Sequence, residues 1–108
     1  MALIHAKSGG ITSVLALGPL LHATVTHTIL KAPQLELIRV VLLAGKEMRG
    51  HKVLGEITVQ CIEGRVELRA LAKVLTLVPG DLVHLHGDAL HALKAIEDSS
   101  ILLTIRLN

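Results

Sequence analysis

The sequence contains no phenylalanine, tyrosine or tryptophan among its 108 residues. Recognition by base stacking, which needs π-faces, is therefore a poor fit, as is an aromatic cage for a quaternary ammonium group. Any core or pocket must be built from Leu, Val, Ile and Ala. Charge of one sign is also missing: 11 basic residues stand against 9 acidic ones, for a formal net charge of +2. Without a basic stripe, there is no footprint for a nucleic-acid backbone. The longest uninterrupted apolar run, Val40 to Ala44, falls far short of the roughly 20 residues that span a bilayer. The opening MALIHAKSGG lacks the basic and apolar regions of a signal peptide. The single cysteine, Cys61, rules out an internal disulfide and lies in an apolar run, where it serves as a small core residue. A lone thiol of this kind fits a reducing cytoplasm. Elbow motifs for a nucleophile, glycine-rich phosphate loops and paired carboxylates suited to acid–base work are absent.

What is present is period-2 alternation. Residues 65–70, RVELRA, set Arg65, Glu67 and Arg69 on one side and Val66, Leu68 and Ala70 on the other, the pattern of a half-buried strand. Residues 101–107 repeat it with Ile101, Leu103, Ile105 and Leu107. Further strands are predicted over 20–30, 35–43, 57–62, 73–78, 82–86 and 91–96. In 35–43 both faces are apolar, which implies burial on both sides. Turn signals punctuate these runs at Ala32-Pro33, Ala44-Gly45, Arg49-Gly50, Glu63-Gly64, Pro79-Gly80-Asp81, His86-Gly87-Asp88 and 97–100. The length suits one core. The expected architecture is a single all-β domain, a sandwich or barrel of seven or eight antiparallel strands. Gly9-Gly10 predicts a frayed or mobile tail over 1–12.

Two stretches resemble the motifs of the cupin superfamily, G(X)5HXH(X)3-4E(X)6G and G(X)5PXG(X)2H(X)3N. In the first, about 45–64, Gly45 is followed by five residues and then His51, and Gly64 stands at the closing glycine. Val53 replaces the second histidine, and Ile57 stands at the acidic position with Glu56 one place early. In the second, about 80–95, Gly80 leads to His86 in place of proline, Asp88 in place of glycine, His91 at the histidine and Ala95 in place of asparagine. The compact spacing is similar to small single-domain bacterial cupins with a degenerate first motif, one group of which the stretch HKVLGEITVQCIEG closely resembles.

The resemblance implies a double-stranded β-helix, or jelly-roll, barrel with a pocket in its mouth. Family members hold Mn, Fe, Ni, Cu or Zn with three imidazoles and a carboxylate. Here His51 and His91 match ligand positions, and Glu56 and Gln60 are the candidates for completing the shell. The motif register turns Ile57 inward and Glu56, Thr58 and Gln60 outward, whereas a bulge near Gly55 reverses them. His86, Ile57 and Val53 are expected to line the pocket. His84 reads as a solvated strand residue, His22 and His27 as surface or interface residues, and His5 as part of the tail. Two functions stand side by side: a small-molecule-binding cupin with a divalent ion (Zn, Ni, Mn or Fe), and a non-catalytic ligand-binding or sensing cupin without one. Residues 20–43 carry more apolar surface than one small barrel covers, so a homodimer is expected.

Overall fold

A computed structural model describes residues 5–51 and 55–107, with the backbone alone at Gly50 and His51. Nine strands form: β1 His27–Lys31, β2 Leu35–Leu42, β3 Glu47–His51, β4 Ile57–Glu63, β5 Val66–Ala70, β6 Lys73–Leu77, β7 Leu82–Leu85, β8 His91–Ala95 and β9 Ser99–Arg106. They make two antiparallel sheets, ordered β1-β2-β9-β4-β7 and β3-β8-β5-β6. The chain passes repeatedly from one sheet to the other, as in a jelly roll. The expected barrel closure is not found: among the described residues the sheets meet through core side chains rather than through a shared backbone ladder, so the molecule is an open sandwich.

Alternation explains the core. Val66, Leu68 and Ala70 of β5 turn inward, and so do Ile101, Leu103 and Ile105 of β9. They meet Val40, Val59, Cys61 and Leu93, giving an aliphatic interior whose stability comes from burial alone. Burial raises the Cys61 thiol's pKa, as do the nearby charges of Asp81 and Glu63, against a lowering contact to the Glu63 carbonyl. A thiol in this state is a packing group, not a nucleophile.

The expected strand over 20–30 is only partly formed. Gly18–Ala23 is a short 3-10 helix with proline at its start, and the strand begins at His27. Proline supplies the fixed φ of a helical first turn and lacks the N–H a strand ladder needs. On β2 the outward row is Leu35, Leu37, Arg39 and Val41, and Arg39 is 5% exposed. A bulge between Cys61 and Glu63 turns Glu63 to the same outer side, opposite Ser100. There Glu63 accepts hydrogen bonds from the Ser100 hydroxyl at 2.5 Å and from the backbone N–H groups of Leu17 and Gly18 at 2.8 and 3.0 Å. Arg39 reaches the Ser13 carbonyl at 3.5 Å and the Ser100 hydroxyl at 3.4 Å. One carboxylate therefore fastens the N-terminal segment to the outer face.

Burial works to raise the Glu63 pKa, but the three hydrogen bonds and the Arg39 charge outweigh it, and the net shift is downward. A carboxyl held low when folded lends stability above its ordinary pKa, and that stability fades as pH falls through the lowered value. Glu63→Gln is expected to lower stability at neutral pH by about 1–2 kcal/mol. It should also shrink the loss of stability between neutral and acid pH. Urea melts of both proteins at pH near 7 and near 3 check this, and an acid limb of unchanged depth would count against it.

Candidate functional site

The site begins with a backbone row across the second sheet. His51 is the cross-strand partner of His91. On the other side His91 partners Ala70, and Ala70 partners Lys73. Two histidines forty positions apart in sequence thus occupy adjacent register positions at one end of the sandwich. His91 faces the interior and is 2% exposed. Its Nδ1 lies 3.2 Å from the Ala89 carbonyl. Donation of Nδ1–H to that carbonyl leaves Nε2 as the acceptor nitrogen of the neutral ring, the form in which imidazole ligates a metal or accepts a ligand proton.

The other sequence candidates are not gathered around His91. Ile57 is buried in the core at the position the motif gives to an acid. The inward direction of Ile57 turns Glu56, Thr58 and Gln60 outward, because the side-chain period of a strand is two. Glu56 instead bonds His84 Nε2 at 2.7 Å and lies 3.7 Å from an Arg106 guanidinium nitrogen, on the outer face of the first sheet. Glu56 and Gln60 therefore do not share a site with His91, and no bulge near Gly55 reverses them: Ile57 to Gln60 pair in step with Leu85 to Leu82. Val53 lies outside the described residues. Among the described residues no three His, Cys, Asp or Glu side chains converge on a point.

His86 borders a shallow hollow that is open to solvent. This cleft of about 680 Å³ opens between the β5–β6 hairpin and the 86–90 loop, bordered by Arg69, Leu71, Lys73, Val74, His86 and Leu90, with Ala70 and Ala89 beneath. Its floor adjoins the His91 row, since Ala70 partners His91 and Ala89 accepts from it. The His86 ring is anchored by Nδ1 to the Gly87 carbonyl at 2.8 Å. Arg69 is held by Glu67 at 3.2 Å.

The hairpin tip is unusual. Leu71 and Ala72 have φ of 53° and 60°, and Asp88, across the cleft, has 65°. Among the described residues these are the non-glycine positions with positive φ, and all three border the same cleft. Aspartate tolerates the left-handed region. Leucine and alanine do not, at about 1–2 kcal/mol each, and a two-residue turn of this hand normally takes Asn-Gly. The sequence reading passed over this tip because Leu-Ala carries no turn signal. The clue was there nonetheless: two alternating runs separated by two residues, neither of them suited to the turn that joins them.

Two further histidines, His22 and His27, make local contacts. His22 pairs with Asp98 at 2.8 Å, and His27 Nδ1 contacts the Val25 carbonyl at 2.8 Å.

The shape of the molecule can be set beside known proteins. A cupin superfamily protein from Desulfitobacterium hafniense DCB-2 superposes with a TM-score of 0.79 at 13% identity, each chain covered in full. The chain has the cupin fold. A conserved protein of unknown function from Streptococcus pyogenes gives 0.76 at 20% identity over 100% of this chain and 98% of that one. Salicylate 1,2-dioxygenase from Pseudoaminobacter salicylatoxidans gives 0.65 at 20% identity, over 68% of this chain and 20% of the enzyme. No family model matches the sequence, and no curated protein does. At these identities the cupin likeness is one of architecture. No helix among the described residues is long and apolar enough to cross a membrane.

Proposed function

We propose that this cupin-fold chain binds a small molecule in the cleft between the β5–β6 hairpin and the 86–90 loop, beside His91. The observation that carries the reading is the coincidence at one end of the sandwich of a sizeable cleft, an inward imidazole and a left-handed hairpin tip. Backbone strain retained at a concave surface is a mark of binding sites, where shape outweighs stability. A thermal-shift screen of metal-free protein against small acids and sugars tests it. At least one compound class should raise the melting temperature, and an empty screen would oppose the proposal.

A second reading adds a divalent ion, Zn, Ni, Mn or Fe, on His51 and His91. It is carried by the register that sets those residues opposite each other. Two imidazoles bind such ions weakly, so the bound molecule would supply the remaining donors. Calorimetric titration of EDTA-stripped, untagged protein with Ni²⁺ and Zn²⁺ is expected to show one ion per chain, with affinity at least about tenfold lower in His91→Ala. Equal affinity in the variant would remove the ion from this site.

The chain is further proposed to act as a cytoplasmic homodimer. The buried, unreactive Cys61 suits a reducing compartment. The two outer faces differ: the β3-β8-β5 face carries the charged row Glu47, Lys94 and Glu67, whereas the first sheet shows Leu35, Leu37, Leu82 and Leu102 among its outward residues. Ile11, Leu15, Leu20 and Val25 are also exposed. Apolar surface of this kind favours association with a second copy. Light scattering should give twice the 11.5 kDa chain mass, and a monomer mass would refute the dimer.

A further inference from the structure

The cleft beside His91 specifies more than a generic small molecule. Its walls are aliphatic: Leu71, Val74 and Leu90 are 50%, 61% and 58% exposed and border one hollow. Three large apolar side chains left in water around a concavity are surface awaiting cover. The chain has no phenylalanine, tyrosine or tryptophan, so the ring that borders the cleft is the His86 imidazole. The charges are sparse and unequal in their engagement. Arg69 is tied to Glu67, whereas Lys73 makes no ion pair among the described residues. Asp88 stands on the opposite loop, so the two cations of the neighbourhood, Arg69 and Lys73, are balanced by Glu67 and Asp88. Such a balance is wrong for a phosphate or a dicarboxylate and right for a single carboxylate that one ammonium can meet.

We infer that the cleft takes a small aliphatic monocarboxylic acid, its carboxylate on the Lys73 ammonium and its hydrocarbon against Leu71 and Leu90. This inference rests on the reading that this end of the sandwich binds a small molecule, and it names the class. The left-handed hairpin tip then has a purpose. A turn built from Asn-Gly would hold the backbone more comfortably, but it would remove the Leu71 side chain from the wall.

The test uses hexanoate and hexanol, which share a chain length and differ in charge, titrated at millimolar concentration into ¹⁵N-labelled full-length protein and followed by amide chemical shifts. Hexanoate is expected to move the amides of 69–74 and 86–90 saturably, and hexanol to bind about tenfold more weakly. Lys73→Glu should weaken hexanoate about tenfold with the remaining amide spectrum unchanged. Leu71→Asn should raise the melting temperature and weaken hexanoate about fivefold. That opposite pair of changes is not expected from a purely structural turn. Equal binding of acid and alcohol, an unchanged affinity in Lys73→Glu, or shifts centred elsewhere would overturn the inference. If a neutral sugar moves the cleft amides and hexanoate does not, the carboxylate assignment fails while the small-molecule site stands. If no compound moves them, both fail.

Discussion

Gly64→Ala is expected to destabilise the protein by about 4 kcal/mol or more, a large share of the stability of a domain of this size. Gly64 closes the β4–β5 corner, where the chain leaves one sheet for the other, and has φ of +85°. An L side chain there pays for the left-handed region. Its Cβ would also overlap the Ser99 hydroxyl and the Asp98 carbonyl. Neither can yield easily. Ser99 is fully buried, and its hydroxyl accepts from the Arg65 N–H at 3.0 Å and lies 2.7 Å from the Glu97 carbonyl. The 97–100 segment leads directly into β9, which is paired on both sides. Relief of the overlap would therefore shift a central strand. Urea unfolding followed by far-UV circular dichroism checks this, and a loss under about 1 kcal/mol would show that the corner relaxes locally.

Leu68→Ala is expected to remove about 3 kcal/mol. Leu68 is completely buried on the central β5 strand, between Leu75 of β6 and Leu93 of β8 in register. The core contains no phenylalanine, tyrosine or tryptophan that could tip into the vacated space, and the buried His91 imidazole is held at Nδ1 by the Ala89 carbonyl. A cavity should persist, and cavities left unfilled lie toward the costly end of such substitutions. The same urea measurement reads it. A loss below about 1 kcal/mol would mean that the sheets close over the gap.

These two positions also show what was legible in the sequence. Leu68 belongs to RVELRA, where period-2 alternation alone assigns strand, face and burial, and Val66, Leu68 and Ala70 lie where that pattern puts them. Gly64 was visible as a turn glycine, while the neighbours that forbid a Cβ come from a segment more than thirty residues later. The strand β3, Glu47–His51, escaped the reading because it is an edge strand with a charged outer row, and of its side chains Met48 packs against the core. Edge strands need little apolar patterning. The β2 sequence shows two apolar faces, and its outward Arg39 is buried where it meets the Ser13 carbonyl of the N-terminal segment, which Glu63, turned to the same side by a bulge, fastens through Leu17 and Gly18. Burial lowers the Arg39 pKa and the Glu63 charge works against that shift. A bulge cannot be read from composition.

The site divides in the same way. Motif spacing singled out His91, and the structure puts its ring inside. Spacing also offered Glu56 and Gln60, but strand parity takes both to the outer face, where Glu56 meets His84 and Arg106. Lys73 carried no signal in the sequence, and the Leu71-Ala72 tip only the two-residue gap between two alternating runs. They become site residues only because the β5–β6 hairpin folds up against the 86–90 loop.

The account depends most on the location of ligand binding. Mapping amide shifts for every hit of a small-acid and sugar screen on ¹⁵N-labelled, metal-free protein tests that location directly. Shifts gathered on 69–74 and 86–91 are the expected result. Shifts centred on the outer-face group of Glu56, His84 and Arg106, whose residues border a separate hollow, would contradict it.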